Sequence, residues 1–313
     1  MKNRSELKYH SGQVKTRNYS HKAVVLWTLF TINTLLALYY LFEHLIVENQ
    51  SVMPLSGLLD NPKLPFPVLM PGLLLLVLHA FWSLGYQRGF LLLSTAFLSG
   101  LFFEIAGVHL GIVFGGDYSY QDGARNVLLG VPLLVTLFWV AFIYVGYWLT
   151  SSFFIWLGKG KPNQIGGNHL WLALAVCLDG LAVVIIDLIM DPIQVRAGNW
   201  GWLDAGSFFG VPPANFLGWF LVTIIATGTF RTLEYYLPLK AAGRIGSALL
   251  IPTVGYGLLG LGLAAMALES GIPELAPIGA VLMLTLALIN LRFFLRQRAK
   301  ALPAAELKSM VDS

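Results

Sequence analysis

Long apolar stretches alternate with short polar breaks along this chain, and the apolar stretches recur at lengths that suit one crossing of a bilayer. They lie at residues 23–47, 66–84, 89–110, 127–149, 169–190, 214–237, 244–268 and 274–295. A helix needs about 20 apolar residues to span the hydrocarbon core, so each stretch predicts a transmembrane helix. The second and third are parted only by Gly85-Tyr86-Gln87-Arg88, which predicts a tight helical hairpin. The last two are rich in Gly, Ala and Leu and contain Pro252 and Pro277. Membrane spans tolerate such residues better than soluble helices do. The predicted fold class is all-α: a polytopic integral membrane helical bundle of about 8 spans.

Composition agrees and narrows the function. Of 313 residues, 57% are hydrophobic and 12% charged, and the mean hydropathy is +0.71. Soluble domains carry about a quarter charged residues. A cytosolic enzyme, a secreted disulfide scaffold and a DNA-binding module are therefore excluded. Cys177 is the one cysteine, so no intrachain disulfide forms. The polar opening at residues 1–22 runs into a stretch of span length without a small-residue cleavage site, so no cleavable leader is expected.

The net charge of +4 matters less than where the cations fall. With the N-terminus in the cytoplasm, 17 of the 20 Lys and Arg lie on the cytoplasmic side. The other side receives Lys63, Arg125 and Arg196. This asymmetry predicts an even number of spans with both termini cytoplasmic, in the cell membrane. It also predicts a basic N-terminal tail at 1–22, a single transmembrane domain at 23–295 and a basic C-terminal tail at 296–313.

Two loops on the outer side, residues 111–126 and 191–213, are long, glycine-rich and aromatic, and read as structured capping segments. They echo each other. Gly130-Val131-Pro132 precedes Trp139, and Gly210-Val211-Pro212 precedes Trp219, with equal spacing from Gly to Trp. Upstream, Tyr118-Ser119-Tyr120 matches Trp200-Gly201-Trp202. A parallel internal repeat is the expectation, and such repeats commonly frame a site between them.

Acids within apolar stretches cost a few kcal/mol each on insertion scales, so each needs a reason. Glu43, Glu104, Asp179, Asp187 and Asp191 qualify, and all but Asp179 fall toward the outer ends of their spans. Asp187 and Asp191 are spaced i, i+4 and share a helix face, with Pro192 expected to stop the helix. Such a pair can hold a divalent metal or share a proton. Glu104, between phenylalanines, is expected to keep its proton and so serve as a donor. Glu43 and His44 read as interfacial anchors, His109 as an interfacial or loop-anchoring residue, and His79 and His169 as packing or interface residues. Tyr118, Tyr120, Trp200 and Trp202 exceed what an interfacial belt requires, and aromatic faces stabilise cations. Asn215 opens a span, where it can orient water or a carboxyl or act as an N-cap.

From Phe102 to Trp219 the order of motifs resembles one known family. FEIAGVHLG, FGGDYSYQDG and LLGVPLLVTLFW are followed by LDGLAVVIIDLIMDPIQVRAGNWGW and GSFFGVPPANFLGWF. This resembles the membrane carotenoid 1′,2′-hydratases of the γ-carotene 1′-hydratase and bisanhydrobacterioruberin hydratase type. Residues 113–120 depart from the family's usual loop by lacking its proline and carrying an extra glycine. The resemblance implies a hydro-lyase that adds water across the terminal 1,2 double bond of an acyclic carotenoid end, such as that of lycopene, γ-carotene or a fifty-carbon analogue. The product is a tertiary alcohol, and neither a cofactor nor a metal is implied. In that chemistry Glu104 or Asp187 would be the acid, and Asp191 with Asp117 the water-orienting base, with acid and base interchangeable. Tyr118, Tyr120, Trp200 and Trp202 would form the cation-stabilising lid, and Asn215 and Trp219 complete the candidate substrate-binding set. Two rival readings remain. One is a membrane prenyltransferase acting on an allylic diphosphate, which would need a second acidic motif. The other is a small proton-coupled transporter.

Overall fold

The computed structural model describes residues 16–42, 66–120, 127–156, 160–161, 164–165, 169–237 and 246–301. Among these, the α-helices are α1 Thr16–Phe42, α2 Phe66–Leu84, α3 Tyr86–Leu110, α4 Leu133–Trp156, α5 His169–Arg196, α6 Pro213–Tyr236, α7 Ile251–Glu269 and α8 Leu284–Ala301. The strands are short: β1 Tyr118–Tyr120, β2 Val127–Leu128, β3 Val131–Pro132, β4 Gly160–Lys161, β5 Gln164–Ile165 and β6 Trp200–Trp202. Seven helical segments are long and apolar enough to cross a membrane, and α2 contributes a shorter apolar helix. The chain is a multi-pass helical bundle, and each apolar stretch of the sequence overlaps one of its helices, with a 3-10 turn at Gly246–Leu250 leading into α7 and a π-helical segment at Ile278–Met283 leading into α8. As expected, α2 and α3 form a hairpin turning at Gly85, whose φ is +90°.

Three boundaries differ from expectation. α1 starts at Thr16, inside the basic opening, and ends at Phe42, so Glu43 and His44 lie outside the described residues. Residues 127–132 are not helical: β2 Val127–Leu128 and β3 Val131–Pro132 pair antiparallel around Leu129-Gly130. Both turn residues have positive φ, at 50° and 83°, which a helix does not allow. Pro192 does not stop α5, which continues to Arg196. In the interior of a helix a proline removes one backbone hydrogen bond. Here Ile193, fully buried beyond it, keeps the last turn packed.

α3, α4, α5 and α6 form the centre. α3 and α5 each pack on both α4 and α6, while α1–α2 and α7–α8 lie on the flanks. Small residues permit the close approaches. A Cβ on Gly100 would come within 2.6 Å of Trp139, and one on Gly180 within 2.6 Å of Phe220.

The repeat is visible in the backbone. β1 Tyr118–Tyr120 pairs antiparallel with β6 Trp200–Trp202, so that Tyr118 faces Trp202, Ser119 faces Gly201 and Tyr120 faces Trp200. The two matched loops thus pair with each other through equivalent residues. Phe209-Gly210 repeats the turn of Leu129-Gly130, with φ of 52° and 88° and a bridge between Phe208 and Val211. α4 and α6 follow these turns, and the Trp139 and Trp219 rings meet with centroids 4.0 Å apart. This register gives the β1–β6 ribbon a local two-fold axis at Ser119 and Gly201, and below it α3 packs on α6 as α5 packs on α4.

The opposite end of the centre holds a second polar layer. Arg231 donates through Nε and Nη2 to Asp179, both at 2.8 Å, and through Nη2 to Ser151 at 3.1 Å. Arg88 lies 3.7 Å from Glu234. The expectation counted Arg88 and Arg231 only as orientation signals. Both are buried and paired with acids between helices. His79, expected to be a packing or interface residue, joins α2 to Tyr144 of α4 at 2.5 Å and to the Ala248 carbonyl at 2.8 Å.

Candidate active site

The site lies under the β1–β6 ribbon, where α3 and α5 bring their acids toward the axis. Glu104 is 4% exposed. Its Oε1 accepts the Trp139 indole N–H at 2.7 Å, and its Oε2 meets the Tyr120 hydroxyl at 2.6 Å and the Tyr118 hydroxyl. An indole N–H only donates, so Oε1 is an acceptor in every protonation state. Any proton on this carboxyl therefore sits on Oε2, between two phenols. The sequence reading expected this carboxyl, between phenylalanines, to keep its proton, and did not foresee its partners. Glu104 points away from the exposed Phe102 and into a polar pocket of three donors.

Asp187 and Asp191 are 0% and 2% exposed. Asn215, in the first turn of α6, donates its Nδ2 to Asp187 Oδ2 at 3.0 Å and to Asp191 Oδ2 at 2.7 Å. The pair expected on one helix face thus shares one amide. Asn215 is not an N-cap, since α6 begins at Pro213 and its cap residue is Pro212. Asp187 Oδ1 is buried and has no hydrogen-bond partner. Among the described residues, no three His, Cys, Asp or Glu side chains converge as metal ligands.

Glu104 and Asp191 line one cavity of about 30 Å³, room for a water molecule. Tyr118, Tyr120, Trp200 and Trp202 form its outer wall, with Asn215 and Trp219 behind. The Trp202 indole N–H donates to the Phe114 carbonyl at 2.8 Å, locking the ribbon onto the loop that follows α3. Burial first, and the adjacent Glu104 second, hold the Tyr118 and Tyr120 phenols well above their ordinary value. Both therefore stay neutral at any ordinary pH.

Of the expected site residues, the structure brings together Glu104, Asp187, Asp191, Tyr118, Tyr120, Trp200, Trp202, Asn215 and Trp219. It does not bring in Asp117, which is exposed and borders an open groove of about 670 Å³ on the outer side of the ribbon. There its carboxylate occupies the space a side chain at Gly111 would take. His109 anchors a loop as expected, through Nε2 to the Leu129 carbonyl at 2.9 Å. Trp139 is absent from the expected set, although it holds Glu104 directly. Its signal in the sequence is its place in the repeat, opposite Trp219.

These features define a class: a multi-pass membrane protein whose centre encloses two acidic groups under an aromatic ribbon, with no cation among the described residues that line the cavity. Comparison with known proteins then identifies the family. A model described as carotenoid biosynthesis protein matches residues 66–286, and the chain belongs to that family. Bisanhydrobacterioruberin hydratase of Haloarcula japonica is 29% identical over 129 residues, which cover 41% of this chain and 39% of that protein. The match thus spans well under half the length of this relative. No solved structure matches the chain.

Proposed function

We propose that the protein adds water across the terminal 1,2 double bond of an acyclic carotenoid end, giving a tertiary alcohol, within the cell membrane. The observation that carries this reading is the placement of two chemically different acidic groups around one water-sized cavity. Asp187 and Asp191 share an amide donor and no cation, so they hold a proton between them. Burying two adjacent negative charges costs more than protonating one. Asp191, which lines the cavity, passes this proton to C2 of the alkene. The π bond breaks, its electrons form the new C–H bond, and a tertiary cation is left at C1.

The tryptophan and tyrosine faces stabilise that cation. Glu104, held by Trp139 and the two phenols, orients the water as a carboxylate. The water oxygen bonds to C1 and its proton passes to Oε2 of Glu104. One proton enters the product and one leaves the water, so nothing beyond water is consumed. Return of the proton from Glu104 to the aspartate pair resets the site. Asp117 takes no part.

Expression in a lycopene-producing bacterium, followed by mass analysis of the pigments, tests the proposal. A gain of one water per hydrated end, with visible absorption retained, is expected. Unchanged pigment in membranes that contain the folded protein would refute it.

A further inference from the structure

The cavity takes a water molecule, but a branched five-carbon end group is several times larger. Such a group reaches Glu104 and Asp191 only when part of the wall moves. Among the described lining residues, Tyr120, Phe138 and Trp202 are half-buried and the others are buried. Tyr120 is tied to Glu104 at 2.6 Å, and Trp202 to the Phe114 carbonyl at 2.8 Å. Both also border the outer groove beside the exposed Asp117 and Ser119. Phe138 differs in each respect. It sits on α4 within a membrane-crossing segment, does not border that groove, and has no polar atom to tether its ring. The ring stacks on Phe142 at 6.0 Å and 20°, and Phe142 lies 6.2 Å from Trp219 on the cavity wall.

We propose that Phe138 is the entrance from the bilayer to the cavity and the residue that selects the end group. A lipid-soluble chain arrives laterally. The Phe138 ring turns along the face of Phe142, and an acyclic, branched end passes into the space so opened. A ring-closed end is too broad for that opening. This inference rests on the hydration reading of the same site and adds the route and the selectivity.

The test uses full-length protein in bacterial membranes, with lycopene as the acyclic probe and a doubly ring-closed carotenoid as the bulky one. Two quantities are read: pigment retained per protein after detergent purification, and pigment gaining water. Phe138→Trp should raise the lycopene concentration needed for half-maximal retention and turnover by about ten-fold. Phe138→Ala should let the ring-closed pigment compete with lycopene, which wild type resists. Phe102→Trp, on the exposed face of α3, should change neither quantity.

Unchanged retention in both Phe138 variants overturns the entrance. If Phe138→Trp does not fold, Phe138→Ala decides alone, and failure to admit the ring-closed pigment overturns the proposal. If wild type retains lycopene without hydrating it, the hydration reading falls, and the retention series still decides the entrance. If wild type neither retains nor hydrates lycopene, both fall; if it hydrates without retaining, the turnover series decides the entrance.

Discussion

At the scale of single residues, the site separates two kinds of carboxyl by their partners. Glu104 has donors on both oxygens, whereas Asp187 and Asp191 share one amide and leave Asp187 Oδ1 unpartnered. Asp191→Asn and Glu104→Gln should each lower pigment hydration by roughly 100- to 10,000-fold, the usual worth of a positioned acid or base. Pigment mass spectra, alongside protein levels in the membrane, check this. Retention of more than a tenth of the activity removes that residue from the mechanism. Trp139→Phe keeps a ring against Trp219 but deletes the N–H that pins Oε1, so turnover should fall while pigment retention holds.

The two phenols carry a pH prediction. Their values are raised in the fold, so stability is fully present below the ordinary phenol value of 10.0. Above it the unfolded tyrosines ionise first, and stability falls as pH rises. Thermal melts in detergent should show a steeper alkaline decline for wild type than for the Tyr118→Phe/Tyr120→Phe double variant. Equal slopes would contradict the burial of these phenols.

At the scale of elements, the ribbon and its two tight turns set the site. Gly130 and Gly210 take φ of 83° and 88°, where a side chain costs about 1–2 kcal/mol. Gly130→Ala and Gly210→Ala should each lower stability by about that amount. Gly201→Ala, in open space within β6, should stay within about 0.5 kcal/mol of wild type. Calorimetry or thermal melts distinguish the three.

These elements also mark what the sequence could convey. The spans were legible because an apolar stretch of bilayer length has few other uses. The acids were legible because a charge inside such a stretch demands a partner. The hairpin at residues 127–132 was not, since Val127, Leu128, Leu129 and Val131 continue the hydropathy of α4 and only the backbone reveals the turn. Nor could hydropathy distinguish Asp117 from Asp191, two acids beside aromatic residues, because their difference is which side of the ribbon they occupy. The bond from Trp139 to Glu104 crosses between helices, and no local spacing encodes it.

At the scale of the whole molecule, two polar layers lie at opposite ends of the central helices. One surrounds the cavity. The other, around Arg231 and Asp179, joins α4, α5 and α6. Removing one partner of a buried ion pair strands the other charge, at a cost of about 3–5 kcal/mol. Asp179→Asn should lower the melting temperature accordingly, whereas the double variant Asp179→Leu/Arg231→Met should lose much less. Neither should change which pigment is made at temperatures where the protein remains folded. An altered product would tie this layer to the chemistry.

Antiparallel pairing through equivalent positions is what two identical chains build when they meet about a two-fold axis. The β1–β6 ribbon therefore has, within one polypeptide, the geometry of a homodimer seam. Its halves differ in their acids, with Glu104 on one side and Asp187 and Asp191 on the other. A seam of that kind does not depend on covalent continuity elsewhere. Chains cut between Trp156 and His169 and produced together should find each other in the bilayer and restore the pigment chemistry. Either fragment alone would carry only Glu104 or only the aspartate pair, and none of the ribbon pairing.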